Sequence, residues 1–170
     1  MPDRLSKTTA VALPRVRTPC IGVCSTGIGD AVCRGCKRFQ HEVIDWNAYS
    51  EDEKRIVDRR LAGFLSQSVA NHLEIVDKSL LKWQLDVQQV RHNDQHDEYC
   101  WLFALLKAGA SQITDTEQFG FRRRPDTAQM DLIAIREEID RAFWVLSVAH
   151  YERYMATADL FVAQESATHG

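Results

Sequence analysis

Apolar residues recur at helical spacing through most of the chain after residue 50. Ile56, Val57, Leu61, Phe64 and Leu65 form a first stripe, with Asp58, Arg59 and Arg60 between them. Ser50-Glu51-Asp52-Glu53 precedes that stripe at the spacing of a capping box, and its acids suit the positive end of a helix dipole. Residues 67–91 read as a second helix or a continuation, through Val69, Leu73, Val76, Leu80, Leu81, Trp83, Val87 and Val90. A third helix is predicted over 97–109, through Tyr99, Trp101, Leu102, Phe103, Leu105 and Leu106, with Gly109 as its stop. Residues 110–126 hold Gly120, Arg122-Arg123-Arg124 and Pro125 and read as a loop. A last tract, 128–163, is capped by Asp126 or Thr127 and striped by Leu132, Ile135, Ile139, Phe143, Leu146 and Tyr154. It is one long helix, or two broken near 148–157. No alternation of strand type persists, and there is no internal repeat or low-complexity run. The expected fold is mostly α: a helical, bundle-like domain with an N-terminal four-cysteine metal-binding loop.

Three parts are expected: a flexible arm over 1–18, a cysteine module with the first helix over 19–61, and an α-helical domain over 62–170. The chain has 170 residues, 45% hydrophobic and 26% charged, which suits one globular domain with a core that needs no disulfides. Its net charge of −3 exerts no general pull towards nucleic acid or membrane. The charge is split, however. Residues 1–60 carry 11 Lys/Arg against 8 Asp/Glu, a net of +3, and residues 61–170 carry 10 against 16, a net of −6. No stretch approaches the roughly 18 apolar residues of a membrane span. The start, MPDRLSKTTAVALPRVR, lacks a secretory apolar core, so a reducing, cytoplasmic location is the expectation, with no membrane partner.

In that compartment clustered thiols bind metal more often than they form disulfides. Four of the five cysteines fall in PCIGVCSTGIGDAVCRGC, residues 19–36, spaced Cys20-x3-Cys24-x8-Cys33-x2-Cys36. Each close pair can put two sulfurs on one side of a tight turn, and two facing turns make a tetrahedral sulfur site. That geometry suits one zinc ion or one iron–sulfur cluster. Thiolates are the ligands, so their charge needs compensation, and Arg34, Lys37 and Arg38 stand beside the second pair. Four of the eight glycines lie in this stretch, where tight turns need them. The x3 pair departs from the usual zinc knuckle, and the spacing does not support a ferredoxin-like electron carrier.

The segment PCIGVC…CRGCKRFQHEVIDW…SEDEK resembles a small bacterial family, domain of unknown function 1289, whose members are often labelled predicted iron–sulfur proteins. The resemblance covers roughly residues 18–61 and rests on Pro19, Cys20, Cys24, Cys33, Gly35, Cys36, Arg38, Glu42, Trp46, Ser50 and Glu53 in order. Phe39 and Tyr49 stand where a smaller or aliphatic residue is expected, and the four cysteines are untouched. The resemblance implies a four-cysteine metal or cluster site and supplies no reaction. Trp46 is expected to cover the metal loop and join it to the first helix. Glu42 is expected on a solvated helix face, with a salt bridge to a nearby base as the alternative.

Other chemistry-bearing groups are weaker. His92 and His96, four residues apart beside Asp97, lack the glutamate of a zinc-protease helix and read as a polar turn. Glu137, Glu138, Asp140, His150 and Glu152 lack the Glu-x-x-His pairs of a di-iron site and read as solvated faces. Arg122–Arg124 with Phe119 and Phe121 are expected to be a salt-bridging surface rather than a phosphate grip. Cys100 is expected as a buried small hydrophobe, and Trp83, Trp101, Phe103, Phe143 and Trp144 as core. There is no Gly-rich phosphate loop, no nucleophile elbow and no catalytic constellation, so the reading leans against an enzyme. The leading expectation is a metal-binding protein whose helical body docks a protein partner in an accessory role. A redox-active iron–sulfur protein or sensor is one alternative. A nucleic-acid-binding zinc module using Arg34, Lys37 and Arg38 is the other.

Overall fold

The stripe that begins at residue 56 does form a helix, but the one expected to follow it is cut in two. The structure, a computed structural model, describes residues 12–156. Residues 1–11 of the expected arm and 157–163 of the expected last helix lie outside the described residues. A short helix, α1 (Gln40–Asp45), follows the cysteines. Ser50 then opens α2 (Glu51–Ala70) with the expected reciprocal box: its amide reaches the Glu53 carboxylate at 2.7 Å and its hydroxyl accepts the Glu53 amide. Asn71 ends α2, and Leu73–Ile75 forms a strand, β1. Asp77 caps α3 (Lys78–Val87), its carboxylate accepting the Leu80 amide at 2.9 Å.

The expected continuous 67–91 helix and the expected absence of strands are therefore both corrected. Asn71 and Asp77 fall inside the expected 67–91 helix, but each is better satisfied at a helix end. Between them, Ile75 and Val76 are β-branched and fit a pleated segment. The partner strand, β2 (Phe121–Arg123), comes from the expected loop. It runs antiparallel with Leu73 opposite Arg123, Glu74 opposite Arg122 and Ile75 opposite Phe121. Gly120 precedes it at φ +77, and a Cβ there would stand 2.2 Å from the Asp77 carbonyl oxygen. Only glycine lets the loop close on the start of α3 in that way.

The third helix, α4 (Glu98–Gly109), meets its prediction, with Asp97 accepting the Tyr99 and Cys100 amides. It is apolar on almost every side because it runs through the middle of the molecule, packed by α2, α3 and α5. The last helix, α5 (Leu132–Tyr151), starts later than expected. Asp131 is its cap, accepting the Ala134 amide at 2.8 Å, whereas Pro125–Thr127 makes a separate 3-10 turn tied to the His72 carbonyl by the Thr127 hydroxyl. After Tyr151 the hydrogen bonding loosens to a π turn over Glu152–Ala156.

The main core gathers Val69, Leu73, Leu81, Leu85, Leu102, Leu106, Phe121, Ile135 and Ile139. Trp101, Phe103 and Phe143 are buried as expected. Trp144 is partly buried, and Trp83 is 57% exposed, against expectation. The buried face of α3 is Leu81 and Leu85, one turn apart; Trp83 lies two residues from each and so points away. A smaller cluster of Trp46, Val57, Leu61 and Phe143 joins the cysteine segment to α2 and α5. No described helix is long and apolar enough to cross a membrane.

Candidate metal centre

The second cysteine pair sits in a closed hairpin turn. Val32 and Phe39 form an antiparallel bridge. Inside it the Cys33 amide donates to the Arg38 carbonyl at 2.9 Å, and the Lys37 amide to the Cys33 carbonyl at 2.8 Å. Lys37 takes φ 62, the left-handed conformation that lets so tight a turn close. Both sulfurs of this pair are in buried residues.

The first pair lies in a loop that rests on this turn. Gly22 at φ +89 turns the chain between Cys20 and Cys24, and its amide points at the Cys20 sulfur from 3.4 Å. The Cys24 sulfur lies 3.0 Å from the Thr26 hydroxyl. Two contacts hold loop to turn: the Arg34 amide donates to the Ser25 hydroxyl at 2.8 Å, and the Cys33 thiol meets the Val23 carbonyl at 3.6 Å. Gly35 allows the approach, because a Cβ there would stand 2.6 Å from the Val23 oxygen. Gly35→Ala is therefore expected to prise the two segments apart. Cross-protection of the Arg34 amide in hydrogen exchange should fall while α4 stays protected, and unchanged protection at Arg34 would refute the tight approach.

Cys33 and Cys36 differ electrostatically. Burial disfavours the Cys33 thiolate, but the amides of Cys36, Ser25 and Gly35 and a hydrogen bond from the Cys36 side chain outweigh it and bring the thiol down to about 7. Burial pushes the Cys36 thiol up, against the opposing hydrogen bonds and charge of Arg38. The Arg38 Nε donates to the Cys36 sulfur at 3.3 Å, and its guanidinium lies 4.8 Å over the Trp46 ring. Lys37 and Arg38 are only 2% and 3% exposed. Lys37 is met by Asp140 of α5 and by the Gly35 carbonyl. Arg38 has no carboxylate partner among the described residues, and the Cys36 sulfur is its hydrogen-bond acceptor.

These features fit a thiolate-bound metal: two buried cysteines in one closed turn, a buried guanidinium on the sulfur of one of them, and a second cysteine loop packed alongside. The four sulfurs are neighbours in the chain rather than a finished cage. Among the described residues no group of three or more Cys, His, Asp or Glu is gathered closely enough to hold an ion, and Cys20 and Cys24 are exposed.

Around the turn, one residue departs from its expected role. Trp46 is buried and bridges turn to helix, as read from the sequence. Glu42 is not solvated: it is 4% exposed and takes a forked pair from Arg60 at 2.5 and 2.7 Å, while accepting the Phe39 amide at 2.8 Å. The salt-bridge alternative is the one realised, with a base from α2 rather than from beside the cysteines. Asp140 keeps its solvated position, 53% exposed, and also serves as the partner of Lys37. The signal for both pairs was an unpaired charge in the cysteine segment, without any means to place its partner.

The remaining groups follow their plainer readings. Cys100 is buried, its thiol pushed up to about 12 by burial and then by Asp97, so it is a poor ligand. His92 bonds Lys82 and Asp94, whereas His96 bonds Asp58 at 2.8 Å, so the two rings serve different partners. Arg122 pairs with Glu74 at 2.9 Å, and Arg123 and Arg124 donate to the carbonyls of Met130 and Ala70, which makes the tri-arginine run structural. Phe121 is in the core. Burial and the nearby Arg60 charge hold His150 below the usual histidine range, among Phe39, Phe64 and Tyr154 rather than facing carboxylate ligands.

No curated protein and no solved structure matches the chain. The cysteine turn, its first loop and the start of α2 are a different matter: residues 18–64 match the family described as protein of unknown function DUF1289, so the likeness read from the cysteine spacing holds for that segment.

Proposed function

We propose that Cys20, Cys24, Cys33 and Cys36 hold one metal centre, a zinc ion or an iron–sulfur cluster, and that the helical body presents it to a protein partner in an accessory role. One observation carries this reading: Cys33 and Cys36 are both buried in one closed turn, and the buried Arg38, with no carboxylate partner among the described residues, donates its Nε to the Cys36 sulfur at 3.3 Å. When bound, such a centre supplies either a rigid cross-link or an electron site. Four thiolates fill a tetrahedral ion, which argues for a structural role over metal-assisted hydrolysis. Arg38 offsets part of the excess negative charge, and Trp46 shields the turn from water.

The redox alternative draws support from the same turn, since burial and hydrogen bonds to sulfur, such as that from Arg38 to Cys36, tune cluster potentials. The nucleic-acid alternative loses its basis in this turn. Of Arg34, Lys37 and Arg38, only Arg34 is exposed, and two buried cations cannot reach a phosphate backbone.

Metal and acid-labile sulfide content, with a visible spectrum, on protein purified without air decides between the two metals. Iron with sulfide and a broad brown absorbance selects the cluster; one zinc without colour selects the structural ion. Cys33→Ser is expected to lose the metal and Cys100→Ser to keep it. Equal content in the two variants would remove the ligand assignment.

A further inference from the structure

A cavity of about 470 Å3 opens between α4, α5 and the second cysteine turn. Arg34, Lys107, Arg136 and Arg141 line it with four cations, and Phe103 and Trp144 add aromatic surface. Arg136, Asp140 and Trp144 follow at four-residue steps along one face of α5, and Glu137 and Arg141 line the edge beside it. Glu137 and Asp140 also line the cavity, but Asp140 is already matched by the buried Lys37. Arg34 and Arg141 each have one acidic neighbour, Asp30 at 3.0 Å and Glu138 at 2.6 Å. Lys107 and Arg136 have no carboxylate partner among the described residues; Lys107 instead lies 5.8 Å from the Phe103 ring.

This concentration of positive charge runs against its surroundings. Residues 61–170 carry a net −6, yet three of their ten basic residues meet at this one opening. Arg34 is also pre-positioned. Its backbone is tied to Ser25, and its guanidinium stacks 4.4 Å over Trp144. A planar fork held in this way loses little freedom when it takes up an oxyanion. Three guanidinium groups and one ammonium suit a group with several charged oxygens better than a single carboxylate. The volume falls within the roughly 300–1,000 Å3 of small-ligand sites.

We propose that this cavity is a binding site for a phosphate-bearing small molecule of nucleotide size, held by Arg34, Lys107, Arg136 and Arg141 beside the cysteine turn. The site stands on its own geometry and does not require the metal assignment.

Calorimetric titration of the full chain with inorganic pyrophosphate, ATP and adenosine tests it. Pyrophosphate and ATP are expected to bind with Kd of about 10–1,000 µM at low salt and more weakly as salt rises, and adenosine not at all. Lys107→Ala/Arg136→Ala should weaken ATP at least about tenfold. Lys107→Gln/Arg136→Gln repeats the test if the alanine pair folds poorly. Arg122→Ala, whose guanidinium serves Glu74 in the strand pair, should bind like the parent. The proposal is overturned if neither phosphate compound binds by about 10 mM, if adenosine binds as well as ATP, or if Arg122→Ala loses as much as the double variants. A 12-nucleotide single-stranded RNA that bound while pyrophosphate and ATP did not would also overturn it, and would assign the cations to a nucleic-acid strand.

Discussion

Arg60→Ala is expected to destabilise the protein by about 3–5 kcal/mol, the cost of leaving one member of a buried ion pair alone. The Glu42 carboxylate is almost fully buried, and two of its three hydrogen bonds come from the Arg60 guanidinium. Truncation leaves that charge inside with only the Phe39 amide as a donor. Some compensation is already missing on the other side, since the Arg60 Nε is buried without a hydrogen-bond partner. Its guanidinium rests instead 4.0 Å over the Phe39 ring. The loss should lower the melting temperature by roughly 6–20 °C. Arg60→Lys keeps the charge but not the fork, and should fall between. Replacing both members, Arg60→Leu with Glu42→Leu, should recover much of the stability, because no charge is then stranded. Thermal and urea unfolding of the four proteins measure this. A change of less than about 1 kcal/mol in Arg60→Ala would mean that the pair is relaxed and hydrated in solution.

That pair also marks the limit of what the sequence disclosed. The cysteine spacing, the Ser50 box, the apolar α4 and the inert Cys100 were all legible because each is a local pattern of fixed period or fixed offset. Glu42 and Arg60 lie 18 positions apart, and Lys37 and Asp140 lie 103 apart. Nothing in the sequence tells a charge that will be buried from one that will be solvated until its partner is placed. The β1–β2 pair was missed for a related reason. Each strand is three residues long, too short for alternation to register, and their pairing depends on Gly120 closing against Asp77. Trp83 misled because it falls in the apolar stripe read over 67–91, whereas the buried face of α3 is set by Leu81 and Leu85. The cavity beside the cysteine turn was out of reach for the same reason as the ion pairs, since Arg34, Lys107 and Arg136 meet only after α4 and α5 pack.

If the proposed metal is bound, stripping it is expected to open the cysteine turn while the helical body stays folded. The segment from Cys20 to Phe39 has little of its own to hold it: one bridge, a few backbone hydrogen bonds and the loop contact at Gly35. A stretch this small, with Ile21, Val23 and Ile28 at the surface, cannot meet its own conformational entropy. The main core is built from α2–α5 and the strand pair and includes no cysteine of the turn. After chelation, exchange at the Cys33, Lys37 and Gln40 amides should quicken by about a thousandfold, equivalent to about 4 kcal/mol. Amides of Leu102 and Leu106 in α4 should keep their protection. Far-ultraviolet dichroism should change little, because the turn contributes almost no helix, while Trp46 should become more exposed and its emission shift to the red. Reloading the metal should reverse all three signals, since binding and local folding are linked. Unchanged exchange at Cys33 and Lys37 would show that the turn folds without metal and that its thiolate environment serves another purpose. Loss of protection in α4 as well would show that the cysteine turn and the helical body fold as one unit, and would make Lys37–Asp140 and the Trp46 cluster the couplings to break next.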